Sequence, residues 1–292
     1  MTKAALLAYT RAAQRASAEV ISSYSTSFGT STRLLGLRHR QHVRNIYALV
    51  RVADELVDGV CHEAGLSTEE QETVLERFVA ETHRALERGY SSDLVIHAFA
   101  YTARASGFGR DLIDPFFASM RSDLHHDAAV ERFDDRRHDA YVYGSAEVVG
   151  LMCLAVFLRD ERLSVHHRER LSHGASQLGA AFQDVNFLRD LADDTDRLKR
   201  AYFGTVEPLT TADRDRIVAR IRTRLSEAEA TIKLLPNDAR AAVRSAAGLF
   251  AALTDRVARI PVEELYHRRV RVPDAEKALI IARAVVKTWK EC

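Results

Sequence analysis

Four polar side chains between residues 183 and 194 have the types and the spacing to hold a cation. Gln183, Asn186, Asp190 and Asp194 are separated by three, four and four residues. On an α-helix they share an arc of roughly 80°. Val185, Leu188 and Leu191 fall well round the same cylinder and offer it a core-facing side. Carboxylates and amides on one stripe are hard oxygen donors, which suit Mg²⁺. A solvated helix would scatter both signs of charge over its outer face.

A second stripe repeats the pattern. Tyr47, Arg51, Asp54 and Asp58 are spaced four, three and four, with Leu49, Val52, Leu56 and Val57 as the apolar remainder. Two like charges at i, i+4 weaken an isolated helix by ~0.2–0.5 kcal/mol, so a cation that offsets the repulsion is implied. Either pair alone reads more often as a solvent-facing helix surface. Two Asp-x-x-x-Asp pairs on two apolar-backed helices point instead to a clamp that grips a diphosphate through divalent cations.

These stripes need long helices, and the composition provides for them. The chain has 292 residues, 47% hydrophobic and 28% charged, with only five prolines and thirteen glycines. Strand-like alternation is short wherever it occurs, and the one Asp-Gly pair, Asp58-Gly59, does not join two alternating runs as a hairpin turn would. The patterning predicts helices over 4–22, 40–60, 69–88, 92–106, 141–158, 168–196, 211–234, 237–258 and 274–289. It also predicts a break near Ser25–Phe28, a helix opened by Pro115, and a solvated loop over 134–139. Ser67 or Thr68 is the expected cap before the third of these helices, and Gly89 its terminator. Gly144 and Gly150 in the apolar 141–158 stretch predict a close helix approach. Phe116 and Phe117 read as core. His125–His126 and His166–His167 read as surface, and Cys153 as a small buried apolar residue. No stretch has the composition of a flexible linker, so residues 1–292 read as one all-α domain.

Lysines and arginines exceed acids by one, 42 against 41, so bulk charge gives no reason to expect nucleic acid as a partner. Three cysteines without a Cys-x-x-Cys pair fit a reducing compartment and suggest neither a disulfide framework nor a zinc cage. The start of the chain shows no cleavage-site pattern, and no uninterrupted apolar run approaches the ~20 residues of a bilayer span. A cytoplasmic protein is the expectation, with peripheral attachment at the inner membrane face as the alternative.

The motifs resemble those of the squalene/phytoene synthase family. Gln183-x-x-Asn186-x-x-Arg189-Asp190-x-x-x-Asp194 is similar to its second aspartate-rich motif, and Arg51-x-x-Asp54-x-x-x-Asp58 to its first. Ser25-Thr-Ser27-Phe28 resembles the family's N-terminal Ser-x-Ser-Phe element. Tyr141-x-Tyr-Gly-x-Ala-x-x-Val-Gly150 resembles its substrate-channel helix. Arg200-Ala-Tyr202 is similar to the Arg-x-Tyr segment after the second motif, and Arg268-Arg269-Val-Arg-Val with Lys277 to a basic segment near the end. Glu147 and Val148 depart from the pattern, standing where the family has small or hydroxylated residues. Tyr24 stands where several members have His.

The resemblance implies an all-α, single-domain isoprenoid synthase-type helical bundle around a central apolar cavity. It also implies Mg²⁺-dependent head-to-head condensation of two prenyl diphosphates, with Mn²⁺ as a substitute metal. Asp54, Asp58, Asn186, Asp190 and Asp194 would be metal ligands. Ser25, Ser27, Tyr47, Arg51, Gln183, Arg189, Arg200, Tyr202, Arg268 and Arg269 would contact the diphosphates, and Tyr141 would line the site near proton transfer. The first-motif wording Ala-Asp-Glu-Leu-Val-Asp looks most like bacterial phytoene synthases, which act on two geranylgeranyl diphosphates and do not need NADPH. Squalene or dehydrosqualene synthesis from two farnesyl diphosphates is the nearest alternative. A non-catalytic assembly factor on the same fold is another; a terpene cyclase is disfavoured because the first motif is not Asp-Asp-x-x-Asp. Further implied partners are a membrane surface for product hand-over and other carotenoid enzymes.

Overall fold

The computed structural model describes residues 4–124, 131–132, 135–191, 200–201 and 209–291, of which 26–28, 58, 131–132, 135 and 200–201 by backbone alone. The described chain is helical apart from one short parallel pairing of Glu131–Arg132 with Arg200–Ala201. In order the helices are α1 (Ala4–Tyr24), α2 (Thr26–Thr32), α3 (Leu37–Asp58), α4 (Val60–Glu63) and α5 (Thr68–Arg88). Next come α6 (Leu94–Ser106), α7 (Arg110–Leu124), α8 (Asp135–Val142), a π-helical turn (Tyr143–Glu147) and α9 (Val148–Leu158). The last are α10 (Val165–Arg189), α11 (Thr211–Ile232), α12 (Asn237–Arg259), α13 (Val262–Leu265) and α14 (Asp274–Lys290).

The chain divides into two compact units, Met1–Leu124 with Met152–Arg162, and His125–Leu151 with Leu163–Cys292. The chain passes between them at the end of α7, inside α9 and between α9 and α10. In the first unit α1, α3 and α6 pack on one another, with α5 and α7 alongside. Ile46, Leu49, Phe99, Ile113, Phe116 and Phe117 are fully buried there, as expected of the phenylalanine pair. A buried polar chain ties these helices. Asn45 donates to Thr102 Oγ1 at 2.9 Å, and His42 Nδ1 lies 3.0 Å from the same oxygen. Arg159 Nη1 stands 2.5 Å from His42 Nε2. Burial, then the Arg159 charge, pushes the imidazole down to about 4, so it is neutral and accepts from the guanidinium.

In the second unit α10 lies along α11 and the π-helical turn, and α12 packs on α11 and α14. Val185, Leu188 and Leu191, the predicted core side of the second stripe, join Ile217, Val218, Ile221, Leu253 and Val257 in one cluster. Gly150 and Gly179 set the close approach expected of the apolar stretch. A methyl group added at Gly150 would sit 2.6 Å from the Ala175 carbonyl oxygen, and one at Gly179 2.6 Å from that of Ala146.

Local signals placed most boundaries. Ser67 caps α5 in a reciprocal capping box with Glu70, and Gly89 ends that helix with a left-handed φ of 74°. Ser25 separates α1 from α2, as the predicted break required. Three expectations are corrected. Pro115 lies inside α7 rather than opening it, because the helix already starts after the Gly107-Phe-Gly109 break. Residues 135–139 are helical, not a loop, because His138 is buried by a contact on α10. The helix predicted over 168–196 starts earlier, at Val165 behind a Ser164 cap, and α10 ends at Arg189 with Asp190 as its C-cap. Residues 192–199 lie outside the described part. His166 and His167 are exposed as predicted; His125 and His126 are not among the described residues. Among the described residues one run, Arg136–Leu158, is long and apolar enough to cross a membrane, and half of its most apolar window is buried inside the protein.

Candidate active site

In the first unit the predicted residues of α3 gather with Ser25. The Ser25 side chain hydrogen-bonds Tyr47, whose hydroxyl is held above the usual phenol range mainly by burial, against the lowering effect of the Arg51 charge. Asp54 and Glu55 are also close enough to Tyr47 to raise it. Arg51 pairs with Glu55 one turn on and lies over the Tyr24 ring, 4.6 Å from its centroid. Glu55 was not singled out from the sequence, and Tyr24 only as a departure from the family pattern. An Arg-x-x-x-Glu spacing and an aromatic next to Ser25 were the signals available for them. Asp58 closes α3, and its side chain lies outside the described atoms, as does that of Ser27.

In the second unit Asn186, Arg189 and Asp190 come together where α10 ends. Asp190 is the C-cap, beside the carbonyl ends of the helix, where the helix dipole disfavours an unpaired carboxylate and favours cations. Two guanidinium groups answer that field. Arg189 reaches Asp190 at 2.9 and 2.5 Å, and Arg269 places its Nε 2.7 Å from Asp190 Oδ1. Arg268, its neighbour, turns instead to Glu264 at 2.5 Å. The basic segment therefore alternates: Val270 and Val272 are buried in the core cluster, and Arg269 projects to the helix end. One turn before Asp190, Asn186 Oδ1 is buried without a hydrogen-bond partner. Tyr141 is buried against Phe187, ring centroids 6.0 Å apart, which brings it to the same turn of α10. Gln183 is half-buried two turns before the helix end. Asp194 and Tyr202 lie outside the described residues, and Arg200 is described by backbone alone.

A buried node next to these residues was missed. Asp184, fully buried on α10, accepts from Arg224 Nη1 at 2.8 Å and Arg220 Nε at 3.2 Å, and lies 2.9 Å from His138 Nε2. It joins α8, α10 and α11. Glu147, at the end of the π-helical turn, is half-buried nearby; burial holds its carboxyl above the usual range, against a hydrogen bond from Ser176. An isolated Asp between Gln183 and Val185 carries no spacing signal, since its cationic partners lie 36 and 40 residues on.

The donor set fits a hard divalent cation. Carboxylate and amide oxygens stand at a helix C-terminus, and an acceptor left buried and unmet costs ~1–3 kcal/mol unless something meets it. Among the described residues no group of three or more His, Cys, Asp or Glu side chains is placed to hold a metal; Asp194 and the Asp58 side chain are outside that set.

The fold is shared with solved isoprenoid synthases. A dehydrosqualene synthase in complex with a ligand superposes with a TM-score of 0.75 at 19% identity, over 96% of this chain and 98% of that one. The squalene synthase HpnC from Alicyclobacillus acidocaldarius gives 0.67 at 15% identity, over 89% and 97%. Residues 21–276 match the Squalene/phytoene synthase family profile. The chain therefore belongs to the squalene/phytoene synthase family, whose members are prenyltransferases. Among curated relatives, phytoene synthase 3 of Zea mays is 28% identical over 92% of this chain, and the 15-cis-phytoene synthase of Synechocystis 28% over 90%. The match spans 65% of the maize protein's length and 81% of the cyanobacterial one.

Proposed function

We propose that this chain is a phytoene synthase, joining two geranylgeranyl diphosphates head to head through prephytoene diphosphate with release of pyrophosphate. The observation that carries the reading is the end of α10, where the unmet Asn186 Oδ1 lies one turn before an Asp190 held by two arginines. Family membership and relatives named phytoene synthase support the same reading.

Asp54, Asp58, Asn186, Asp190 and Asp194 would hold the divalent cations. When bound, Mg²⁺, or Mn²⁺ in its place, neutralises the diphosphate leaving group. Arg189 and Arg269 exchange their carboxylate partner for diphosphate oxygens, which guanidinium meets bidentately. Arg51, Arg200 and Arg268 contribute further cationic contacts, with Ser25, Ser27, Tyr47, Gln183 and Tyr202 positioning the same groups. Tyr141, buried on Phe187, holds its ring beside the reacting chain and keeps water away from the allylic cation. No covalent nucleophile is needed; catalysis rests on positioning and leaving-group stabilisation. The reading includes no NADPH step, a single catalytic domain, and product hand-over at a membrane or to other carotenoid enzymes.

The test is incubation with C15 and C20 prenyl diphosphates and Mg²⁺, with and without NADPH, followed by hydrocarbon analysis. Phytoene from the C20 substrate alone is the expected result. Dehydrosqualene from the C15 substrate, or squalene that requires NADPH, would replace the assignment with its nearest alternative. No pyrophosphate release from either substrate would leave a non-catalytic family member.

A further inference from the structure

The helix α14 is built the wrong way round for a helix on a solvated surface. Its inner side is conventional: Ala284 and Thr288 are buried, Thr288 accepts from Arg244 Nη1 at 2.7 Å, and Ile280 closes on Gly248. Its outer side should be polar. Instead Leu279, Ala282, Val286 and Trp289, spaced three, four and three, share an outward arc of roughly 80°. Leu279 is 49%, Val286 50% and Trp289 79% exposed, with Val285 at the margin of the stripe. Ala275 and Ala278 extend it one turn toward the start of the helix.

One edge of the stripe is cationic. Arg283, Lys287 and Lys290 follow each other along it, and Lys287 is paired with Glu229 at 2.6 Å. The acids of the first turn are already engaged, Asp274 by Lys277 at 2.9 Å and Glu276 by Arg256. An apolar outward stripe with lysine and arginine along one flank and a tryptophan near its end is the pattern of a helix lying in a bilayer interface. The cations select among surfaces, because each adds attraction only where the headgroups are negative.

We propose that the outward face of α14 docks on a membrane surface carrying anionic lipid headgroups, with Leu279, Val286 and Trp289 in the acyl boundary and Arg283 and Lys290 at the phosphates. This extends the membrane clause of the proposed function to one named face, and it stands on observations separate from the acidic motifs.

Trp289 is the chain's single tryptophan, so its emission reports this face alone. The full chain is mixed with phosphatidylcholine vesicles, with and without phosphatidylglycerol, and followed by fluorescence and co-sedimentation. A blue shift and sedimentation with the anionic vesicles are expected, both lost in Val286→Glu. Arg283→Gln and Lys290→Gln are each expected to weaken binding roughly fivefold, from ~1 kcal/mol per basic residue. Absence of binding to anionic vesicles, or a Val286→Glu variant that binds as the parent does, overturns the proposal. So does a blue shift without vesicles accompanied by a doubled mass in light scattering, which would put a second copy on this face. Condensation of detergent-dispersed substrates, assayed in parallel, tells the two proposals apart: activity without vesicle binding sinks only this one.

Discussion

The arginines of the two aspartate-rich motifs are held in different ways. On α3, Arg51 pairs with Glu55 one turn away and lies over the ring of Tyr24 at the end of α1, while its buried Nε has no hydrogen-bond partner. At the end of α10, Asp190 is shared by Arg189 next to it and Arg269, which arrives from 79 residues away. The Glu55 pairing survives as long as α3 is a helix, and only the Tyr24 contact needs α1 packed beside it. The sharing of Asp190 exists only when the segment after α13 is packed, with Val270 and Val272 seated in the core. One motif is thus preset by local spacing, and the other is assembled by the tertiary fold.

Substituting the carboxylates tests what the two motifs share. Asp54→Asn and Asp190→Asn are each expected to lower turnover by roughly 10²–10³-fold or more, with the far-UV helical signal unchanged. Retained turnover in either variant would remove that motif from the catalytic assignment. The buried support of α10 gives the next largest effect. Asp184→Ala strands Arg220, Arg224 and His138 around a missing charge and should cost about 3–5 kcal/mol in denaturant unfolding. A loss under about 1 kcal/mol would mean that the node does not support α10.

Acid should distinguish the units. His42 is held at about 4 in the folded first unit, below its ordinary 6.5. The folded state therefore resists protonation that the unfolded chain accepts. Its contribution is complete above pH 6.5 and is lost as pH falls toward 4, up to about 3 kcal/mol. A melting temperature that falls over this window in the parent, and less in His42→Gln, is the expected result. The smallest effects bear directly on the local and long-range pairings. Arg269→Gln should raise the KM for diphosphate substrate about tenfold. Glu55→Gln, which leaves Arg51 over Tyr24, should change it less than threefold. Equal effects would erase the contrast between the motifs.

That contrast also explains what the sequence could disclose. The α5 capping box, the αL glycine after it, and the periodicity of α3, α11 and α12 are set by residues a few positions apart, and these were legible. Tyr47, Arg51 and Asp54 on α3, and Gln183 and Asn186 on α10, follow the same short-range rule; Asp194 and the Asp58 side chain lie outside the described part. The helix over Asp135–Val142 was not legible, because it is selected by the distant pairing of His138 with Asp184. Nor was the halt of α10 at Asp190, where the carboxylate is met both by Arg189 and by the distant Arg269. The cationic surroundings of Asp184 were invisible too, since residues 36 and 40 positions apart leave no periodic trace. Pro115 misled through a sound local rule, because the glycine break that ends six residues earlier had already fixed where α7 begins.

At Gly150 and Gly179 two stretches of backbone touch, carbonyl against α-carbon, with no side chain between them. Their spacing is thus decided by main-chain atoms that every substitution elsewhere leaves intact. Neighbouring positions on the same helices are released from acting as spacers, so they are open to exchange in size and polarity while the frame stays where it is. A carboxylate such as Glu147 could enter so apolar a stretch without forcing its helix away from α10.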